Sequence, residues 1–360
     1  MRSKGKVRAA LTGTLLLGTA LAAFGAPPEI KEADYTVADF AFKDGSVLPK
    51  LRLHYATLGT PQRDAAGRIS NAVLLLHGTT TSSKAFFTPG VAGELFGPGQ
   101  PLDTSRYYII VPDGVGRGGS SKPSEGLRAK FPRYGYADLV EAQHRLVEGL
   151  GIEHLKLVLG VSMGGMHAWM WAERYPTMMD AVMPIACQPT AINGRNLMFR
   201  RLLVEAIRND PGWMGGDYQT PPQYWLNVAP LWPVILDNPV RLQAAIPDRK
   251  AALAAFQRMR DNAAKNYDAN DFLYWIESSF DYDPQPELGR IKAALYAVNF
   301  ADDELNPPDL EVVEKLVKTI PGARFTLVPE SSKTAGHQTL NLPAVWKPYL
   351  VELLQQVEKQ

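Results

Sequence analysis

From Tyr35 onward the chain alternates short apolar runs with stretches of helical spacing. Tyr35–Phe42 and Leu51–Leu58 read as two early strands. Ala72–Leu76, Tyr107–Val111 and Leu155–Val161 are aliphatic or β-branched runs that end near glycine or aspartate, the pattern of strands buried on both faces of a parallel sheet. Further strands fit Ala181–Ile185, Ala293–Asn299 and Arg324–Val328. Between them lie helical patterns, clearest at Tyr136–Leu150, where Leu139, Val140, Leu146, Val147 and Leu150 make a stripe; a last helix fits Pro343–Val357. This alternation predicts an α/β protein with a mostly parallel, doubly wound sheet. Between Gln188 and Leu288 the rhythm changes to helical pieces separated by Pro211, Pro221, Pro222, Pro230 and Pro233 and carrying Trp213, Trp225, Trp232 and Trp275. That stretch reads as a helical cap inserted between two core strands, its aromatics mostly forming its own core. The expected division is 1–25 as a leader, 26–187 as the first part of the core, 188–288 as the cap and 289–360 as the second part of the core.

The most informative run is Leu155 to Gly165, a buried strand followed by Gly160-Val161-Ser162-Met163-Gly164 and then a helical pattern through Met166, Ala168 and Trp171. Gly-x-Ser-x-Gly between a strand and a helix is the nucleophile elbow of the α/β-hydrolase fold. So sharp a turn brings the residues two before and two after the serine together, which is why glycine stands there. It also lifts the hydroxyl over the helix N-terminus, where negative charge is stabilised. In this fold the order is Ser, then Asp or Glu, then His. Of the six histidines, His54, His77, His144 and His154 precede Ser162, and His167 lies on the elbow helix as a packing or surface residue. His337, in a loop after the last strand, is left as the base. The acid falls in Asp302-Asp303-Glu304, after the penultimate strand. Asp303 is favoured by its spacing to Pro307, with Asp302 as the alternative. Two backbone amides must face a developing oxyanion. Met163 follows the nucleophile, and Thr79 lies in the turn Leu76-His77-Gly78-Thr79, where His77 is expected to brace the loop.

Composition narrows the partners. Lysine and arginine exceed aspartate and glutamate by one charge, and no basic block follows the first residues, which argues against nucleic acid. One cysteine, Cys187, excludes an intrachain disulfide and thiolate metal clusters, so the sequence implies no metal and no cofactor. The expected partner is a small-molecule acyl substrate. Arg200 and Arg201 in the cap are either a carboxylate clamp or solvent-facing charge, and Asp113–Gly119 reads as a tight loop near the pocket. At the N-terminus Arg2, Lys4, Lys6 and Arg8 precede an apolar run from Ala9 to Phe24 and the small residues Ala23 and Gly25, the parts of a secretory signal peptide. The run is short for a membrane span, so a periplasmic or secreted protein without a retained anchor is expected.

The chain resembles the homoserine O-acetyltransferase group of α/β-hydrolase proteins. The resemblance rests on Phe131-Pro132, Asp138-Leu139-Val140 with Gln143, Leu150 to Leu155, Ser162-Met163-Gly164-Gly165-Met166 and Glu173-Arg174-Tyr175-Pro176. It implies acyl-enzyme chemistry at Ser162. Three departures set this chain apart from homoserine-using members. Gln338 stands after the histidine where they usually carry aspartate, the oxyanion loop reads His-Gly-Thr-Thr-Thr, and export removes the acetyl-CoA pool. The expectation is therefore a serine hydrolase acting on an ester through Ser162, Asp303 and His337, with Thr79 and Met163 as oxyanion donors. The alternatives are an O-acyltransferase and a catalytically inactive binding protein on the same fold. N-terminal sequencing of the protein from its native host should begin at or near Ala26; a chain beginning at Met1 or Arg2 would overturn the export expectation.

Overall fold

The structure is a computed structural model that describes residues 29–359; the expected signal peptide lies outside the described residues. One sheet of eight strands organises the chain: β1 (Lys31–Ala41), β2 (Val47–Leu58), β3 (Ala72–Leu76), β4 (Tyr108–Pro112), β5 (Leu155–Val161), β6 (Met179–Ile185), β7 (Ala294–Phe300) and β8 (Arg324–Val328). Their order is β1-β2-β4-β3-β5-β6-β7-β8. β1 and β2 form an antiparallel hairpin, β2 joins β4 antiparallel, and every pair from β4 to β8 is parallel. This is the doubly wound sheet that the apolar runs predict. β1 is longer than its run because the hairpin extends the pairing to Lys31↔Thr57, beyond the part of the strand that is packed.

Alternation along the central strands sends side chains into two cores. Leu74 and Leu76 of β3 pack with the helices Tyr136–Gly149 and Met163–Arg174, while Val73 and Leu75 face the other side, with Trp346 and Leu350 of the C-terminal helix Pro343–Val357. The helices from Gly194 to Arg290 all lie between β6 and β7. They have a third core of their own, built on Trp225, Trp232, Phe272 and Trp275, which Leu305 from the loop after β7 joins.

This insertion is tied into the sheet domain by polar contacts. The carboxylate of Asp281 accepts from the amides of Tyr136 (2.7 Å) and Ala137 (3.1 Å), so a residue at the end of the insertion caps a core helix. Asp138 of that helix accepts from Gly135 N (2.9 Å), completing the cap locally. Asp271 accepts from the amide and hydroxyl of Ser124 at 2.8 and 2.7 Å, fastening a second point. Burial raises the Asp271 carboxyl to about 6, against the lowering effect of those two bonds.

The helix Met163–Arg174 crosses under β3 so closely that a Cβ on Gly164 would lie 2.0 Å from the carbonyl oxygen of Leu76. Backbone cannot retreat as a side chain can. Gly164→Ala is expected to destabilise the fold by about 1–3 kcal/mol or more, read as a fall in urea midpoint at unchanged m-value; an unchanged midpoint would refute the close-packing account.

Candidate active site

Ser162 follows β5 with φ 53° and ψ −117°, a backbone conformation that L residues rarely hold. Its amide donates to Ile185 O (2.8 Å), and its carbonyl accepts from Met166 N (2.9 Å) as the first bond of the following helix. A Cβ on Gly160 would sit 1.9 Å from Gly164 O, and one on Gly164 would meet Leu76 O of β3, so both flanking glycines are required by neighbouring backbone. The turn leaves the side chain pointing away from the sheet, next to the loop that follows β8.

His337 lies in that loop. Its Nε2 is 2.8 Å from Ser162 Oγ and its Nδ1 is 2.7 Å from Asp303 Oδ2. With the proton on Nδ1 donated to Asp303, Nε2 accepts the serine hydroxyl. Asp303 is 1% exposed and His337 2% exposed, so the line is shielded from water. Burial would raise the Asp303 carboxyl, but the facing imidazole and the hydrogen bonds from His337 and Asn306 outweigh it and hold the carboxyl below its ordinary value. Oδ1 of Asp303 accepts from the amides of Leu305 (2.8 Å) and Asn306 (3.1 Å), and Oδ2 also accepts from Asn306 Nδ2 (3.0 Å). The carboxylate is thus fixed on every side.

Asp302 is placed differently. Its Oδ2 accepts from Gly336 N (2.9 Å) and from Asn238 Nδ2 (2.8 Å), joining the insertion to the residue before His337. The insertion backbone runs so near that a Cβ on Gly336, whose φ is 58°, would meet Asn238 N at 2.8 Å. Gln338 N donates to Leu236 O (3.1 Å) from the other side of the histidine. Asn238 and Asn306, which sequence reasoning missed, both bind loops far away in the chain. No spacing signal marks Asn238; Asn306 lies three residues after Asp303 in the loop that was already singled out.

The turn after β3 abuts the nucleophile: a Cβ on Gly78 would be 3.5 Å from Ser162 Cβ. His77 Nε2 accepts from Gly114 N (2.9 Å) and its Nδ1 donates to Gly78 O (2.8 Å), so the ring is neutral and braces the turn. Burial keeps its pKa below the usual value, although Asp113 pulls the other way. The backbone amides of Thr79 and Met163 are not engaged in the hydrogen-bond network of the described residues. Arg117, in the loop after β4, donates from Nε to Thr81 O (2.8 Å) and stacks 3.2 Å from the centre of the Trp275 ring. It therefore links the oxyanion turn to the insertion, and burial lowers its guanidinium to about 10.

The structure also places the other residues that the sequence singled out. His167 is buried, accepts at Nδ1 from Gln143 Nε2 (3.1 Å) and packs edge-on to Tyr136; burial pushes it down to about 3. It is a packing residue, not a surface one. Cys187 is buried, and burial pushes its thiol up, as suits a small apolar side chain. Arg200 is 4% exposed and Arg201 is exposed and paired with Glu205. The Gln338 side chain accepts from Asn341 Nδ2 (2.8 Å) and lines a groove of about 620 Å³ with Asp237, Arg241 and Lys333 that Ser162 does not line.

A strained serine at a strand–helix turn, beside a buried His–Asp pair on a mostly parallel sheet, places the chain in a known class. Residues 71–332 match the model of the alpha/beta hydrolase fold family, and the chain belongs to that family. Within it, the chain resembles the homoserine O-acyltransferase group. It is 30% identical to a homoserine O-succinyltransferase of Magnetococcus marinus over 347 residues, covering 83% of this chain and 86% of that protein. It is 31% identical to a homoserine O-acetyltransferase of Solidesulfovibrio magneticus over 296 residues, covering 76% and 71%. Among solved structures, the homoserine O-acetyltransferase from Bacillus anthracis superposes with a TM-score of 0.79 at 21% identity over 90% of this chain and 97% of that one, a likeness of fold. The acetyl esterase MekB superposes with a TM-score of 0.76 at 27% identity over 90% and 97%.

The geometry separates the two aspartates. Labelling of Ser162 by a fluorophosphonate probe should slow roughly a thousandfold in Asp303→Asn, which misdirects the imidazole proton. In Asp302→Asn, which touches only Gly336 and Asn238, the loss should stay under about tenfold. Equal losses would refute the assignment of distinct roles.

Proposed function

We propose that the protein is an O-acyltransferase that works through an acyl-enzyme on Ser162, and the observation that carries this is the hydrogen-bonded line from Ser162 Oγ through His337 to Asp303. His337 Nε2 takes the hydroxyl proton as Oγ attacks the acyl carbonyl. The oxyanion meets the free amides of Thr79 and Met163. His337 then returns its proton to the leaving group, the acyl C–X bond breaks, and the acyl group rests on Ser162. In the second half the imidazole deprotonates an incoming hydroxyl, which takes the acyl group and frees Oγ. Asp303 stabilises the imidazolium in both halves.

The homoserine O-acyltransferases among the relatives support a small alcohol such as homoserine as acceptor of a short acyl group. Water is the second reading, favoured by the likeness to an acetyl esterase. We also propose that the chain acts outside the cytoplasm, on the strength of the basic and apolar N-terminal pattern. The measurement that decides the acceptor gives purified enzyme acetyl-CoA or succinyl-CoA with homoserine, and separately nitrophenyl acetate in buffer alone. Acyl transfer predicts an O-acylhomoserine product that disappears in Ser162→Ala, with slow ester hydrolysis in the absence of acceptor. Rapid nitrophenyl acetate hydrolysis with no O-acylhomoserine would overturn the transferase reading in favour of hydrolysis.

A further inference from the structure

A buried arginine without an acid beside it is expensive, because desolvation of the guanidinium is repaid only by a close counter-charge. Arg200 is such a residue. It lies on the insertion helix Gly194–Arg208 and its bonds go to neutral oxygens: Nε to Asn196 Oδ1 (2.9 Å), and Nη1 to Ile276 O (3.3 Å) and Ser279 Oγ (3.1 Å). The Trp232 ring lies 5.6 Å from its guanidinium carbon. Among the described residues it forms no ion pair, whereas its neighbour Arg201 pairs with Glu205 and Arg208 with Glu277 (2.7 Å).

Arg200 lines a cleft of about 360 Å³ between the helix Gly194–Arg208 and the end of the helix Ala269–Glu277. Arg133, Arg201 and Arg208 also line it, against the single acid Glu277, so the cleft is cationic. Ile192, Val204 and Phe280 give it apolar walls. Its size is within the range of small-molecule pockets.

A second observation ties this cleft to the catalytic side. The Tyr136 hydroxyl faces both Arg200 and the Thr79 side chain. Neither hydroxyl makes a hydrogen bond of normal geometry, although both atoms are buried. Thr79 belongs to the turn beside Ser162, so one tyrosine separates the cationic floor from that turn.

We propose that this cleft is a binding site for a small organic carboxylate, separate from Ser162, whose carboxylate pairs with Arg200 and whose apolar body lies along Ile192, Val204 and Phe280. A planar carboxylate suits the guanidinium fork. One apolar-walled pocket with a single buried cation on its floor suits a monoanion with a hydrocarbon body better than a strongly hydrated dianion. The proposal does not depend on the acyl-transfer reading, since the predicted ligand contacts none of Ser162, His337 and Asp303.

Titration calorimetry on the full chain tests it, with hexanoate, hexanol and inorganic phosphate as probes. Hexanoate should bind saturably and hexanol should not. Arg200→Gln should weaken hexanoate roughly tenfold or more, the effect of losing a charge-assisted pair. Ile192→Trp, which keeps Arg200 but fills the cleft, should weaken it as well, and it carries the test should Arg200→Gln fail to fold. Binding of hexanoate that both variants retain would place the carboxylate elsewhere and overturn the site. Absence of saturable binding, or phosphate binding as tightly as hexanoate, would overturn the assignment to an organic carboxylate.

Discussion

Everything at the catalytic centre depends on the backbone of one residue. Ser162 holds a positive φ that costs energy wherever it occurs, and the cost is tolerated because the surroundings leave no other path. β5 is paired on both sides, the helix after it begins at once, and Gly160 and Gly164 are pressed together and against β3. The strain therefore belongs to the sheet as a whole, not to a loop. That is what makes the hydroxyl position reproducible, and the histidine loop and oxyanion turn need only be aligned to a fixed point.

The insertion supplies much of that alignment. Its segment from Leu236 to Asn238 lies on both sides of His337, through Gln338 N and through Asp302 and Gly336. Arg117 and Trp275 hold the oxyanion turn from the opposite direction. Part of the catalytic geometry is thus a property of the insertion, so substitutions made in that segment also act on the base.

The sheet was legible because buried parallel strands need unbroken aliphatic runs, and β3, β5 and β6 consist of little else. Ser162 and His337 were legible because fold order and local turn chemistry leave few candidates. Asp303 could be preferred over Asp302 only through its distance to Pro307, and the physical distinction lies in tertiary contacts: one carboxylate meets the imidazole, the other meets Gly336 and Asn238. The burial of Arg200 was hidden because a charged residue on a helix reads as solvent-facing unless its neighbours in space are known. The direction of Gln338 was hidden for the same reason: adjacency to a histidine in sequence does not say that two side chains face the same cavity.

The cap that Asp281 places on the helix Tyr136–Gly149 joins residues 145 and 144 positions apart. A helix start that is completed from so far along the chain is finished only once the insertion has docked, a contact of long sequence separation. The insertion is for that reason a poor candidate for modular exchange: grafting another sequence between β6 and β7 would leave the amides of Tyr136 and Ala137 without their acceptor, and the scaffold itself would register the loss before any substrate did.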